Sequence, residues 1–139
     1  MFVDNGQWGG VGVSYSKPEF VIYKNYYVYK QYTAFIRPNS TILAGLPTGH
    51  LGAAWPGGKV LVVVSVNDQP VARRVELQLV DQGVEATQSR LILTDATHNA
   101  TEVPGPTVHA GQASMMLRPY SVQTLLLGDA SSLAHVTKT

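Results

Sequence analysis

The sequence predicts an all-β protein: an antiparallel β-sandwich of about seven to eight strands, preceded by one aromatic-rich α-helix. Three observations carry this. From Thr41 onward apolar residues recur with period two, most plainly as Val75, Leu77 and Leu79 against Arg74, Glu76 and Gln78. Turn residues such as Pro56-Gly57-Gly58 and Asn67-Asp68-Gln69-Pro70 punctuate these runs at the ~8–12-residue spacing of sandwiches. Before them, Lys24 to Ile36 runs without Gly or Pro and stops at Arg37-Pro38, where proline disfavours helical geometry in the preceding residue.

Taken in order, the first 22 residues read as irregular, because Gly6, Gly9, Gly10, Gly12 and Pro18 break any periodicity. The segment nonetheless carries Phe2, Trp8, Tyr15 and Phe20, large groups that favour burial. The helix is expected over 24–36. Val28, Tyr32, Phe35 and Ile36 share one face, joined by Tyr29 and widened by Tyr26 and Tyr27. Aromatic residues are mediocre helix formers, so packing against a broad surface must hold this helix. Strands are expected at Thr41 to Leu46, His50 to Trp55, Lys59 to Asn67, Val71 to Val80, Arg90 to Thr94, Ser114 to Arg118 and Ser121 to Leu127. The near-continuous apolar run of Val60 to Val64 suggests a central strand covered on both faces. Asp81-Gln82-Gly83 reads as a turn and Asp95 to Pro106 as a polar loop. The tail from Gly128 is small and polar and is expected to fray. The division is 1–38 as an N-terminal unit, 39–128 as the sandwich and 129–139 as a flexible tail.

The 139 residues suit one domain, with 14% charged and 45% apolar residues, far from the disordered class. Net charge is +1 and only Arg73-Arg74 are adjacent basic residues, so neither nucleic acid nor an anionic membrane is an expected partner. No apolar run approaches the ~20 residues that span a bilayer. The absence of cysteine excludes a disulfide scaffold, a thiolate zinc site and a cysteine nucleophile. Asn39-Ser40-Thr41 and Asn99-Ala100-Thr101 are N-glycosylation sequons, with Asn39 and Asn99 as acceptors. The N-terminus lacks a basic stretch followed by an apolar one, so no signal peptide is expected in it.

The residues that carry chemistry do not form a catalytic constellation. Among nine carboxylates, Asp68 and Asp81 fall in turns and Glu76 on a solvent face. Asp95 and Glu102 share one loop and could approach each other, but a solvated loop is the favoured reading. His50, His98, His109 and His135 lack the spacing that presents two ligands on one face, so no metal and no cofactor is expected. Ser114 and Ser121 lack a nucleophile-elbow context. Gly57-Gly58-Lys59 lies between two strands and is a hairpin turn rather than a phosphate loop. Trp55 and Trp8 could stack on sugar rings, though a tryptophan sealing a core edge is the better-supported role. The residues themselves therefore leave two classes open, an accessory domain and an independent carbohydrate-binding or interaction module.

The run Lys24-Asn25-Tyr26-Tyr27-Val28-Tyr29-Lys30-Gln31-Tyr32-Thr33-Ala34-Phe35-Ile36-Arg37-Pro38 resembles the last barrel helix and exit of glycoside hydrolase family 30. Gly58 to Val64 with Asn67, and Leu117-Arg118-Pro119-Tyr120-Ser121-Val122-Gln123-Thr124-Leu125, resemble that family's later strands. The helix wording and Asp95-Ala96-Thr97 are nearest to fungal endo-β-1,6-galactanases and β-1,6-glucanases. The resemblance implies a barrel end at 1–38 joined to a β-sandwich, in a secreted retaining glycosidase. The family's two catalytic glutamates lie upstream of everything matched, so no catalytic residue carries over and this chain alone is expected to be inactive. It also implies a partner, a catalytic (β/α)8 barrel in cis or trans that packs on Tyr26, Tyr29, Tyr32, Phe35 and Ile36. Without the barrel, self-association through that helix is expected; polysaccharide is a further candidate partner.

Overall fold

A computed structural model of the chain describes residues 9–14, 16–79 and 86–136. Its elements are β1 (Val11–Val13), β2 (Phe20–Ile22), α1 (Lys24–Thr33), β3 (Thr41–Leu43), β4 (His50–Ala54), β5 (Val60–Asn67), β6 (Arg73–Gln78), β7 (Gln88–Thr94), β8 (Thr101–Val103), β9 (Val108–His109), β10 (Gln112–Leu117), β11 (Ser121–Gly128) and α2 (Ala130–Ala134). The fold is an all-β sandwich with helices on one outer face. A six-stranded antiparallel sheet runs in the order β3-β4-β5-β11-β7-β8, and a three-stranded sheet in the order β6-β10-β9.

The centre of the large sheet is buried on both faces, which explains why β5 is almost continuously apolar and why every residue of β11, polar ones included, is buried. Successive side chains of a strand point to opposite faces. Val60, Val62 and Val64 of β5, with Val122 and Leu126 of β11, pack with Ile92 on Phe35, Leu133 and Val136 from the helical side. Leu61 of β5 and Leu125 and Leu127 of β11 meet Ala113, Met115 and Leu117 of the small sheet. The expectation that β5 is a central strand therefore holds, and β11, paired with β5 on one side and β7 on the other, shares that place.

The Pro56-Gly57-Gly58 turn closes as expected. Gly57 and Gly58 have φ of 85° and 66°, values that glycine adopts without steric cost. The Trp55 amide donates to the Val60 carbonyl at 2.9 Å across it. At the other end, β10 passes into β11 through Arg118-Pro119-Tyr120, and the chain there changes sheets.

Several expectations are corrected. Residues 11–22 are not irregular throughout: β1 and β2 form a hairpin in the register Val11↔Ile22. The loop after Asp95 contains β8, which pairs with β7. The tail does not fray over 129–136. Asp129 caps α2 by accepting from the Ser132 amide at 2.7 Å, and Leu133 and Val136 are buried. Phe2, Trp8, Tyr15, the Asp81-Gln82-Gly83 turn and residues 137–139 lie outside the described residues.

The helix itself ends close to where the sequence places it. α1 is helical to Thr33, and the Ile36 amide still donates to the Tyr32 carbonyl at 2.9 Å. What changes is its partner. Phe35 is buried in the chain's own core, and Val28, Tyr32 and Ile36 pack against the same layer. Phe35 therefore presents no surface to a separate barrel, while Tyr32 and Ile36 remain half-buried. The large sheet needs a cover on its second face, and this stripe supplies it. Buried Gln31 centres the contact, with Nε2 donating to the Ile92 carbonyl at 3.3 Å, Thr94 Oγ1 at 2.9 Å and the Val122 carbonyl at 3.3 Å.

Candidate functional site

Trp55 stands at the end of β4, where α1 leaves the sheet. Its indole N–H donates to the Phe35 carbonyl at 2.7 Å, and the Arg37 guanidinium carbon lies 4.3 Å from the ring centroid. The polar edge of the indole is thus satisfied within the chain, and one face carries a cation–π contact. Trp55 ties the helix exit to the end of β4 through this bond. Trp8 lies outside the described residues.

Among the described residues, Asp95, Glu102 and Asp129 are each engaged locally rather than gathered. Asp95 Oδ1 accepts from the Thr97 amide at 2.9 Å, the His98 amide at 2.8 Å and the Thr97 hydroxyl at 3.1 Å, and lies 2.8 Å from His98 Nδ1. Burial pushes this carboxyl up, but the bonds from His98 and Thr97 outweigh it and hold Asp95 well below the usual range. Its other oxygen lies 3.5 Å from Arg118 Nη1. Glu102 instead receives two bonds from Arg90, at 2.8 and 2.9 Å. Asp95 and Glu102, which the sequence allowed to converge, are each taken by different partners. Asp129 is held at about 2, chiefly by the Ser131 hydroxyl and then the Ser132 amide. Among the described residues no three His, Cys, Asp or Glu side chains gather as a metal site.

Among the open depressions of the described residues, two bear on a site. One, of about 680 Å3, crosses the outer face of the small sheet, where Arg74, Glu76, Gln78, Gln112 and Ser114 project. The Arg74–Glu76 pair at 3.2 Å is highly exposed. This is the solvated face of an antiparallel sheet. The other, of about 400 Å3, lies where α1 begins and has a largely apolar lining that includes Tyr120. Sequence reasoning missed it. The signal available was a tyrosine after Pro119 in a tight turn between two strands.

The apolar surface is concentrated elsewhere than expected. Val13, Phe20, Val21 and Ile22 of the hairpin are exposed, as is Tyr29 on the outer side of α1. Tyr26 is half-buried, with Gly10 so close that a Cβ there would sit 3.1 Å from the Tyr26 Cα. Of the five residues expected to meet a barrel, Tyr29 alone is largely exposed. Asn39 and Asn99 are both exposed; Asn39 has φ of 64°, and Asn99 Oδ1 accepts from Lys24 Nζ at 2.5 Å. Arg90 also went unread: besides Glu102, it donates to the Leu133 carbonyl at 3.1 Å and the Val136 carbonyl at 2.8 Å.

A two-layer antiparallel sandwich with helices against one sheet, and dispersed carboxylates, defines a β-sandwich module. Among solved structures it is similar to part of several family 30 glycoside hydrolases. A GH30 endoxylanase from Clostridium papyrosolvens C71 superposes with a TM-score of 0.65 at 25% identity, over 78% of this chain and 28% of that one. The family 30 subfamily 8 xylanase Xyn30A from Clostridium acetobutylicum gives 0.68 at 18% identity, over 84% and 30%. The catalytic domain of GH30 xylanase C from Talaromyces cellulolyticus gives 0.66 at 18% identity, over 87% and 27%. The chain therefore spans under a third of the enzymes whose fold it shares in part. No family model and no curated protein matches the sequence.

Proposed function

We propose that this chain is the C-terminal part of a family 30 glycoside hydrolase: a non-catalytic β-sandwich with the last helix of the barrel, bracing a catalytic (β/α)8 barrel. The observation that carries this reading is the coverage. Family 30 xylanases account for 78–87% of this chain, while the chain accounts for only 27–30% of them. The three motifs that resemble the family, in the family's order, support the same reading. In the finer version of the proposal the parent is a secreted, retaining enzyme of the β-1,6-galactanase or β-1,6-glucanase type, on the wording of the helix.

The barrel contact is best placed on the hairpin and the outer side of α1, where Val13, Phe20, Val21, Ile22 and Tyr29 are exposed. An isolated two-stranded hairpin is marginal in water, so this one gains from a covering partner. Alone, the chain should self-associate through the same surface. The test is to assay the purified chain and a fusion to a family 30 barrel on xylan, β-1,6-galactan and β-1,6-glucan. The expected result is no turnover by the chain, and loss of solubility or stability when the barrel is expressed without it. Hydrolysis by the chain alone, or a barrel indifferent to its absence, overturns the proposal.

A further inference from the structure

The depression beside α1 is built differently from the solvated sheet face. Its floor is apolar, formed by Val28, Val66 and Val122, and Tyr120 lines it with 65% of its surface exposed. Lys24, Asp68 and Asp95 also line it. Lys24 Nζ donates to the Ala96 carbonyl at 3.4 Å, the His98 carbonyl at 3.3 Å and Asn99 Oδ1 at 2.5 Å. The loop after β7 is thereby fixed to the start of the helix. Asp95 is occupied by His98, Thr97 and Arg118, so it is not free to gather a cation.

Tyr120 is held in an unusual backbone state. Its φ is 46°, and its amide donates to the Gln69 carbonyl at 3.2 Å. The left-handed region is open to Gly and tolerated by Asn, but it is an outlier for a bulky residue. Such strain persists where surrounding structure over-determines it, and it clusters at ligand clamps. The folding requirement of this turn would be better met by Gly or Asn. A ring is placed there at a cost in backbone energy, beside an apolar floor.

We propose that this cavity binds one pyranose unit of a neutral glycan, stacked on the Tyr120 ring over the apolar floor, with a hydroxyl toward Asp68. An apolar floor and an exposed aromatic ring select a ligand with a C–H face. Lys24 and Asp95 are spent on bonds within the chain, which leaves the Asp68 carboxylate to accept from a hydroxyl. A pyranose has both features on one small body, and a volume of about 400 Å3 is within the ~300–1,000 Å3 range of small-molecule sites. This goes beyond bracing a barrel, which needs no such cavity.

The test uses the 139-residue chain, labelled with nitrogen-15 and titrated with xylotetraose, gentiotriose and β-1,6-galactotriose. The expected result is saturable amide shifts with at least one of them, at Lys24, Ala96 and Ser121. Tyr120→Phe should retain affinity within about twofold, because the ring is kept. Tyr120→Gly should weaken binding about fivefold or more while raising Tm by a few degrees through relief of the turn. Tyr120→Asn gives the same reading should the glycine variant fold poorly. The proposal is overturned by the absence of saturable shifts up to about 20 mM of all three sugars, by shifts confined to the outer face of the small sheet, or by unchanged affinity in Tyr120→Gly.

Discussion

Arg90→Met isolates the link between the C-terminal helix and the sheet. Arg90 sits on β7 and holds two things at once: Glu102 on β8, and the carbonyls of Leu133 and Val136 at 3.1 and 2.8 Å. Charge-assisted bonds of the second kind contribute about 1.5 kcal/mol each at the lower end of their range. The Glu102 pair, whose carboxylate side chain is 39% exposed, is screened by solvent and adds at most about 1 kcal/mol. Methionine keeps the aliphatic stem over the core, so packing changes little. The expected loss is about 3–4 kcal/mol. With an unfolding entropy of ~2.1 cal/mol/K per residue, that lowers Tm by about 10–14 °C. Calorimetry reads the total, and hydrogen exchange reads the location: amides over 130–136 should lose protection first. Glu102→Gln should cost under about 1 kcal/mol by the same reasoning. Equal losses from Arg90→Met and Glu102→Gln, or a loss under about 1 kcal/mol from Arg90→Met, would refute the assignment of the energy to the carbonyl bonds.

Two further outcomes follow from buried polar groups. Gln31 Oε1 is buried without a hydrogen-bond partner among the described residues, so Gln31→Met, which keeps volume and removes the orphan oxygen, should lie within about 1 kcal/mol of the parent in urea unfolding. Gln31→Ala should cost about 2–3 kcal/mol through the cavity it leaves between α1 and the sheet; a loss well above about 1 kcal/mol for Met would show that the bonds donated by Nε2 outweigh relief of the orphan oxygen. Burial, with Arg73 second, pushes the His50 imidazole below its ordinary value of 6.5. Below that value the unfolded chain binds the extra proton first, so His50 contributes stability above it that is lost as pH falls toward the folded pKa. His50→Gln should remove this slope, and an unchanged dependence between about pH 7.5 and pH 5.5 in the variant would contradict the cause assigned.

Much of the sandwich was legible because its strands obey the alternation that a two-faced sheet imposes. β6 reads as one apolar and one polar row, and β5 reads as a strand covered twice. The shorter elements other than β3 were not legible for a physical reason. β1, β2 and β8 have three residues each and β9 has two, too few to display any period, and pairing rather than propensity holds them. α2 carried a readable start signal in Asp129, followed by Leu133 and Val136 on one side, but its five residues are set by docking on the sheet. The aromatic stripe of α1 was visible, but part of it, Phe35 above all, packs within the chain's own core. Periodicity says that a face is buried and not what buries it. Gln31, the most deeply placed residue of α1, is polar and so invisible to a hydrophobic pattern.

The placement of β11 has a consequence for how the chain reaches its native state. α1 is docked through a bond from Thr124 of β11 to Gln31, 93 residues earlier in the chain. At ~5–20 residues per second of synthesis, the helix waits about 5–19 seconds before the strand that seats it exists. Until then β5 and β7 lack the strand that joins them, and the valine-rich face of β5 has no finished sheet around it. The nascent chain thus carries an amphipathic helix and an orphan strand together, a state open to chaperone capture or to association with neighbouring chains. The closing event is the arrival of β11, so truncations that remove it should abolish the whole sandwich rather than shorten it.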